Sequence, residues 1–391
     1  MPAHDFSPVS AFAPGGDVPD EGIGVCLSGG GYRAMLFHLG ALWRLAETGY
    51  LGTAQHQGRH GPIGTLQRIS SVSGGSITSA VLGLAWNSLQ VDQPGLPDRF
   101  RQLVVEPIQS FASQTTVSIG SGLVAMVFSS VNKRVVSVYR KRLFRAATLQ
   151  DLPDHPRFVI NATNLQSGVL WRFSKPYTRD WRVGEIRNPR DGIAEVVGAS
   201  SAFPPFLSPA RFEYENSQYT PGSGADLQRP PYTTRPALSD GGVYDNLGLE
   251  TVYKRYRTVI VSDAGGSAEA KEKVPGDWVR QSYRLLNTID NQVRSLRKRT
   301  LLEALTTNER FGAFFSIRSD ISSYPATNKL PCPFAKTQQL AAVATDLAAK
   351  DRVTQRRLIN WGYAICDAGL RSWVEDTLPA PSNFPYPAEK V

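Results

Sequence analysis

Histidine is scarce in this chain: residues 4, 38, 56, 60 and 155 are the five histidines among 391 residues, and the last 236 positions hold none. That absence excludes the α/β-type Ser-His-Asp arrangement, in which the histidine follows both serine and acid. Cysteine is equally sparse. Cys26, Cys332 and Cys366 are odd in number and far apart, which argues against a disulfide framework and favours a reducing compartment. No stretch has the basic-then-apolar profile of a secretory leader, and residues 1–20, with Pro, Gly and Asp, are expected to form a flexible arm. Long hydrophobic runs are missing too. The nearest, residues 107–132, carries no charge, but its Ser, Thr, Gly and Gln make it too polar to span a bilayer comfortably. There is no internal repeat. Despite a net charge of +9 and a pI near 9.5, no nucleic-acid motif appears and the aromatics do not interleave with the basic residues as a stacking platform would. Nucleic acid is therefore not expected as a partner, and an anionic lipid surface accounts for the charge as well.

What is present is a chain long enough, at 391 residues and 41% hydrophobic, to bury a full α/β core. Two short segments carry chemistry. Ser28-Gly29-Gly30-Gly31-Tyr32-Arg33-Ala34 follows the apolar residues 22–27, and Ser71-Val72-Ser73-Gly74-Gly75 follows the apolar residues 63–69; each precedes a helical pattern. In a strand, tight turn, helix context a serine is lifted onto an exposed elbow beside free backbone N–H groups. The turn needs very small residues two places before and after the serine. Ser71 and Gly75 meet this for Ser73, although glycine is usual at both places. Gly74 opens the next helix with its N–H toward a developing oxyanion, and the glycine run Gly29, Gly30 and Gly31 supplies further donors. Arg33 adds a fixed positive charge.

The third element is Ser239-Asp240-Gly241-Gly242-Val243-Tyr244-Asp245-Asn246, after a predicted strand over residues 232–238. An aspartate at a strand end before two glycines is open to approach by another side chain. With no downstream histidine, a dyad of Ser73 and Asp240 is the economical mechanism. Asp263, ending an apolar strand over residues 258–263, is a lower-ranked rival base. His38 reads as a helix-face residue and His155 lies between prolines.

These three motifs, in this order, resemble those of the patatin-like phospholipases and the related cytosolic phospholipase A2 catalytic domain. The resemblance covers about residues 20–265 and includes Ala199-Ser200-Ser201-Ala202-Phe203-Pro204-Pro205-Phe206, which is similar to the family's segment between nucleophile and acid. It implies an α/β fold with a central, mainly parallel sheet and helices on both faces. It also implies Ser73 as nucleophile, Asp240 as its base, and Gly29, Gly30 and Gly31 as oxyanion hole, with Arg33 alongside; no metal or cofactor is implied. Ser28 stands where plant-type members carry aspartate. The expected organisation is an arm over 1–20 and one catalytic domain over 21–391, with core motifs over 22–265 and a C-terminal extension over 266–391.

The expected function is a lipid acyl hydrolase of phospholipase A type, cytoplasmic and peripherally bound to membranes. The alternatives are a soluble esterase, thioesterase or acyltransferase on the same dyad, or a lipid-binding protein with an idle site. Residues 107–145 place an apolar stretch (119–131) beside Lys133, Arg134, Arg140, Lys141, Arg142 and Arg145. This reads either as a membrane-docking patch or as a buried helix followed by a solvated basic one. No activating partner or signal is identifiable. A second basic run, residues 294–299, ends a helical pattern from about 277 to 306 and reads as a solvated face. In that pattern Trp278, Tyr283, Leu285, Leu286, Ile289, Val293 and Leu296 are expected to face the core.

Overall fold

The computed structural model describes residues 19–116, 128–205, 207–266, 270, 272–274 and 276–391. The chain runs through β1 (Asp20–Leu27), α1 (Gly31–Glu47), a hairpin of β2 (His56–Gly58) and β3 (Gly61–Ile63), β4 (Leu66–Ser71) and α2 (Gly74–Leu89). Helices α3 (Leu96–Phe100), α4 (Glu106–Ala112) and α5 (Phe128–Tyr139) precede the strands β5 (Arg157–Asn164), β6 (Leu170–Ser174), β7 (Tyr177–Asp180) and β8 (Gly184–Arg187). Then come α6 (Ile193–Ser200), β9 (Ala210–Arg211), β10 (Ala237–Asp240), α7 (Gly242–Asp245), α8 (Glu250–Tyr253) and β11 (Tyr256–Asp263). The chain closes with α9 (Trp278–Thr306), β12 (Phe311–Ser316), α10 (Phe334–Ala341) and α11 (Arg352–Gly369).

Ten strands form one mixed sheet in the order β12-β11-β1-β4-β5-β6-β7-β8, with β10 and β9 added beside β5. From β12 to β5 every pairing is parallel. Parallel strands carry helices on both faces, so they read as continuous apolar runs rather than alternating ones. β1 and β11 obey this: Ile23, Val25 and Leu27 belong with Ile260 to the larger core, whereas Cys26 turns to the opposite face with Val259, Val261 and Leu301. Beyond β5 the sheet turns antiparallel, through β6, β7 and β8 on one side and β10 on the other.

Helix α1 is buried almost throughout and packs on α11. The two backbones approach so closely that a Cβ on Gly40 would run into the Ile359 carbonyl, and one on Gly362 into the Phe37 carbonyl. β5 and β6 form an antiparallel pair. The strand expected over 232–238 is shorter. It begins at Ala237, because Pro236 has no N–H to give a ladder.

Of two surface expectations, the first stands open between docking patch and buried helix, and the second comes out differently. Residues 117–127, the apolar centre of the expected docking patch, lie outside the described residues. Around them Phe111, Val131, Val135 and Tyr139 are buried, Lys133, Arg134, Lys141 and Arg142 face solvent, and Arg140 pairs with Glu195. The apolar side of α5 is thus spent on internal packing. In α9 the apolar residues do not face the core: Trp278, Tyr283, Leu285, Leu286, Ile289 and Leu296 are exposed. Only the last turns, with Leu301 and Ala304, reach the buried interior. Helical spacing identified an apolar stripe but carried no information on whether a neighbour covers it. Among the described residues, no helix is long and apolar enough to cross a membrane.

Candidate active site

Three strand ends meet at one place. β1 leads into the glycine run, β4 into Ser73, and β10 ends at Asp240. The carboxyl ends of the parallel strands β1 and β4 are where an open α/β sheet leaves a crevice. Ser73 sits between β4 and α2 with φ 51° and ψ −119°, a conformation in which a non-glycine residue is strained. This is the geometry of a nucleophile elbow. Gly75 is required there: a Cβ would lie 2.5 Å from the Leu27 carbonyl oxygen and 2.7 Å from that of Ser28. Ser71, where glycine is usual, is accommodated in the core, accepting a hydrogen bond from Ser76 Oγ at 3.1 Å.

The two glycine-bearing segments touch. A Cβ on Gly74 would run into the Gly31 carbonyl, and one on Gly29 would sit 3.2 Å from Ser73 Cβ. Gly30 and Gly31 have φ of 141° and 58°, values that favour glycine, so the run turns successive amides to one side. Of the expected donors, Gly29 is engaged elsewhere: its N–H donates to the Asn246 carbonyl at 3.0 Å. The N–H groups of Gly30, Gly31 and Gly74 have no main-chain acceptor among the described residues. These three N–H groups belong to the two segments that meet at Ser73.

Asp240 is buried, 2% exposed, at the end of β10. Its Oδ1 accepts the N–H of Gly242 at 2.7 Å, and the Ser73 hydroxyl lies near enough to favour its charged form. Burial pushes its pKa up to about 7 against the lowering effect of the Gly242 N–H and the Ser73 hydroxyl, with the Asp290 carboxyl adding to the rise. A carboxyl that titrates near neutrality and touches a strained serine is matched to proton transfer. Asp263 lies apart from this pair. Its Oδ1 accepts the N–H of Gly265 at 2.9 Å, and its charge acts on Arg33 and Asp290.

The segment between nucleophile and acid braces both. Ser200 Oγ accepts the Ser73 N–H at 3.0 Å, and the Ala202 carbonyl accepts the Asp240 N–H at 2.9 Å. Phe206 lies outside the described residues.

A family model of patatin-like phospholipases matches residues 25–253, more than half of the chain and all three motifs. The chain belongs to the patatin-like phospholipase family. Among solved structures, it is similar to human GIVD cytosolic phospholipase A2 in complex with methyl gamma-linolenyl fluorophosphonate inhibitor and terbium chloride. That match has a TM-score of 0.50 and 14% identity, covering 90% of this chain and 57% of that one. A second structure of human GIVD cytosolic phospholipase A2 matches with a TM-score of 0.48 and 12% identity over 89% of this chain and 60% of that one. The chain thus spans under two thirds of those proteins' length, and at such identity the likeness concerns the fold. No curated protein matches the sequence significantly.

In this patatin-like chain two residues do other work than the motifs suggest. The Arg33 guanidinium is buried and donates to three carbonyls, of Ala341 (2.7 Å), Val343 (2.9 Å) and Ala264 (2.8 Å). It ties the glycine run to the C-terminal region. Burial and the nearby Arg318 and Arg294 lower its pKa to about 10, so it stays charged at neutral pH. His38 is fully buried: Nε2 donates to the Ser28 carbonyl at 2.9 Å, and Nδ1 accepts from Ser262 Oγ at 2.8 Å. Burial lowers its pKa to about 4, which holds it neutral as a brace behind the glycine run.

Sequence reasoning assigned no role to Ser200 or Asn246. The Asn246 side chain lies against Gly29, Gly242 and Gly265, joining the ends of β1, β10 and β11. Its place six residues after the Asp-Gly-Gly start was the available signal, but turn residues of that type are common. A cavity of about 470 Å³ lined by His60, Arg257, Phe311 and Trp373 lies elsewhere, at the opposite end of β11 and β12. It holds neither Ser73 nor Asp240.

Proposed function

We propose that the chain is a lipid acyl hydrolase acting on fatty acyl esters of membrane phospholipids through a Ser73–Asp240 dyad. The observation that carries this is the strained Ser73 on its elbow with its hydroxyl close enough to act on the buried carboxyl of Asp240, whose pKa burial lifts to about 7. Ser73 Oγ attacks the ester carbonyl carbon while Asp240 takes its proton. The tetrahedral oxyanion is held by the amides of Gly30, Gly31 and Gly74. Collapse expels the alcohol, which takes the proton back from Asp240, and leaves Ser73 acylated. Asp240 then draws a proton from water, whose oxygen attacks the acyl carbon; release of fatty acid returns the proton to Ser73. In this reading Arg33 positions the glycine run, and no metal or cofactor takes part. Residues 21–391 act as one catalytic unit, since β12 lies in the sheet and α11 packs on α1.

Release of fluorescent fatty acid from phospholipid vesicles, set beside hydrolysis of a short soluble ester, tests the proposal. Ser73→Ala and Asp240→Asn should each lower both by roughly 10⁴-fold, and the double variant should be hardly worse, because residues acting as one unit are strongly non-additive. Either single variant within about tenfold of wild type would sink the dyad.

A further inference from the structure

Helix α9 carries 29 residues, and its first five turns present a row of large apolar side chains to solvent. Trp278, Leu285, Ile289 and Leu296 are spaced at i, i+7, i+11 and i+18, which at 3.6 residues per turn is one line along the helix. They are 77%, 57%, 59% and 56% exposed, and Leu286 beside them 49%. Isolated exposed leucines need no explanation, but a continuous stripe on one helix does. The charges on this helix are one-sided. It holds six basic residues and two acids, Asp290 and Glu303. Arg284 and Arg299 flank the stripe on one edge, and Arg280 pairs with the capping Asp277. Arg297 is turned inward to Glu250 at 2.9 Å, and Lys298 lies over the Phe314 ring.

The opposite side of the same turns faces the candidate site. A Cβ on Gly265 would run into Arg294 Nη1, and the Asp290 carboxyl lies close enough to raise the pKa of Asp240. The stripe is therefore about one helix diameter, ~10 Å, from the groups that surround the dyad. An apolar stripe bordered by arginine, with acids only at its two ends (Asp277 and Glu303), is complementary to an anionic bilayer surface: apolar side chains enter the acyl boundary while the guanidinium groups meet headgroup phosphates.

We propose that α9 is the membrane-docking element of this chain, lying in the interface of an anionic phospholipid bilayer with Trp278, Leu285, Ile289 and Leu296 inserted. The choice of occupant rests on the lipid-hydrolase reading above, but the test does not.

Binding is measured by co-sedimentation with phosphatidylcholine vesicles containing 30% phosphatidylglycerol at low salt, for wild type and for Leu285→Asp/Ile289→Asp. Both positions are exposed, so the melting temperature should be unchanged. The double variant is expected to bind at least tenfold more weakly, to lose vesicle hydrolysis in proportion, and to keep hydrolysis of a short soluble ester. A second measurement does not depend on these substitutions: the vesicle-induced blue shift of tryptophan emission should shrink in Trp278→Phe. Vesicle binding of the folded double variant equal to wild type overturns the proposal. So does a wild-type dimer that the double variant converts to monomer, which would make the stripe a contact between copies. If binding falls as expected while wild type hydrolyses neither substrate, the docking helix stands and the hydrolase reading fails.

Discussion

Ser200 stands directly beneath Ser73: its hydroxyl accepts the Ser73 main-chain N–H at 3.0 Å and donates to the Asn161 carbonyl at 2.7 Å. The same oxygen is 2.9 Å from Ser76 Oγ in the first turn of α2. One side chain from α6 therefore joins the elbow, the helix behind it and β5. The strained φ of Ser73 persists because the surroundings hold it there.

Ser200→Ala should consequently affect more than stability. Leaving the Ser73 N–H without its acceptor costs about 1–3 kcal/mol, and a relaxed elbow misplaces the nucleophile by a fraction of an ångström. We expect kcat on a soluble ester to drop roughly tenfold to a hundredfold with little change in KM. A lower melting temperature with unaltered kcat would make Ser200 a packing residue only.

For Arg33 the expectation shifts from chemistry to architecture. Arg33→Ala removes the donor from the carbonyls of Ala264 and Val343 and one of two donors from that of Ala341, which Arg318 also reaches; Ala264 and Ala341 are buried and Val343 half-buried. At about 1–3 kcal/mol per buried group left unsatisfied, a loss of several kcal/mol is expected in denaturant unfolding. Arg33→Lys keeps the charge but not the three-way fork and should recover only part of it. A hundredfold drop in kcat at unchanged stability would instead place the guanidinium on the transition state.

The elbow glycine gives a steric prediction. Gly75→Ala brings a methyl group within 2.5 Å of the Leu27 carbonyl oxygen, closer than real Cβ contacts come, so β1 or α2 must move. A destabilisation of about 2–4 kcal/mol is expected, as for other overpacked core sites. Normal thermal stability and activity in Gly75→Ala would mean that the elbow is looser than drawn here.

The parallel centre of the sheet and the three motifs were legible because each is local: apolar strand, small residues at a turn, helix. Ser73, Gly74, Gly75 and Asp240 could be read from a few neighbours, and the strand ends bring them together. Arg33 and Gly29 were not legible in the same way. What engages them lies far along the chain, at Ala341, Val343 and Asn246, and no local pattern announces such partners. The exposed stripe of α9 was misjudged for a related reason. An amphipathic helix has the same sequence whether it rests on a core or on something outside the chain.

The last prediction uses two buried groups whose effects on stability oppose each other. Burial raises the Asp240 carboxyl from an ordinary 3.8 to about 7, so the folded state prefers it protonated. Its contribution to stability is fully present below about pH 4 and is lost as pH rises through 7. Burial lowers His38 from 6.5 to about 4, so the folded state prefers it neutral. Its contribution is present above about pH 6.5 and is lost as pH falls toward 4. Asp240→Asn keeps an oxygen acceptor for the Gly242 N–H but has no charge to bury. Its melting temperature relative to wild type should therefore be higher at pH 8 than at pH 4.5. His38→Gln should show the reverse, comparing best with wild type at pH 4.5, and should hydrolyse a soluble ester within about tenfold of wild type because the imidazole carries no proton in the reaction. The wild-type rate itself should climb about tenfold per pH unit below 7 and level off above it, following ionised Asp240. A rate flat between pH 5 and 8, or melting differences that do not change with pH in Asp240→Asn, would remove Asp240 from the role of base.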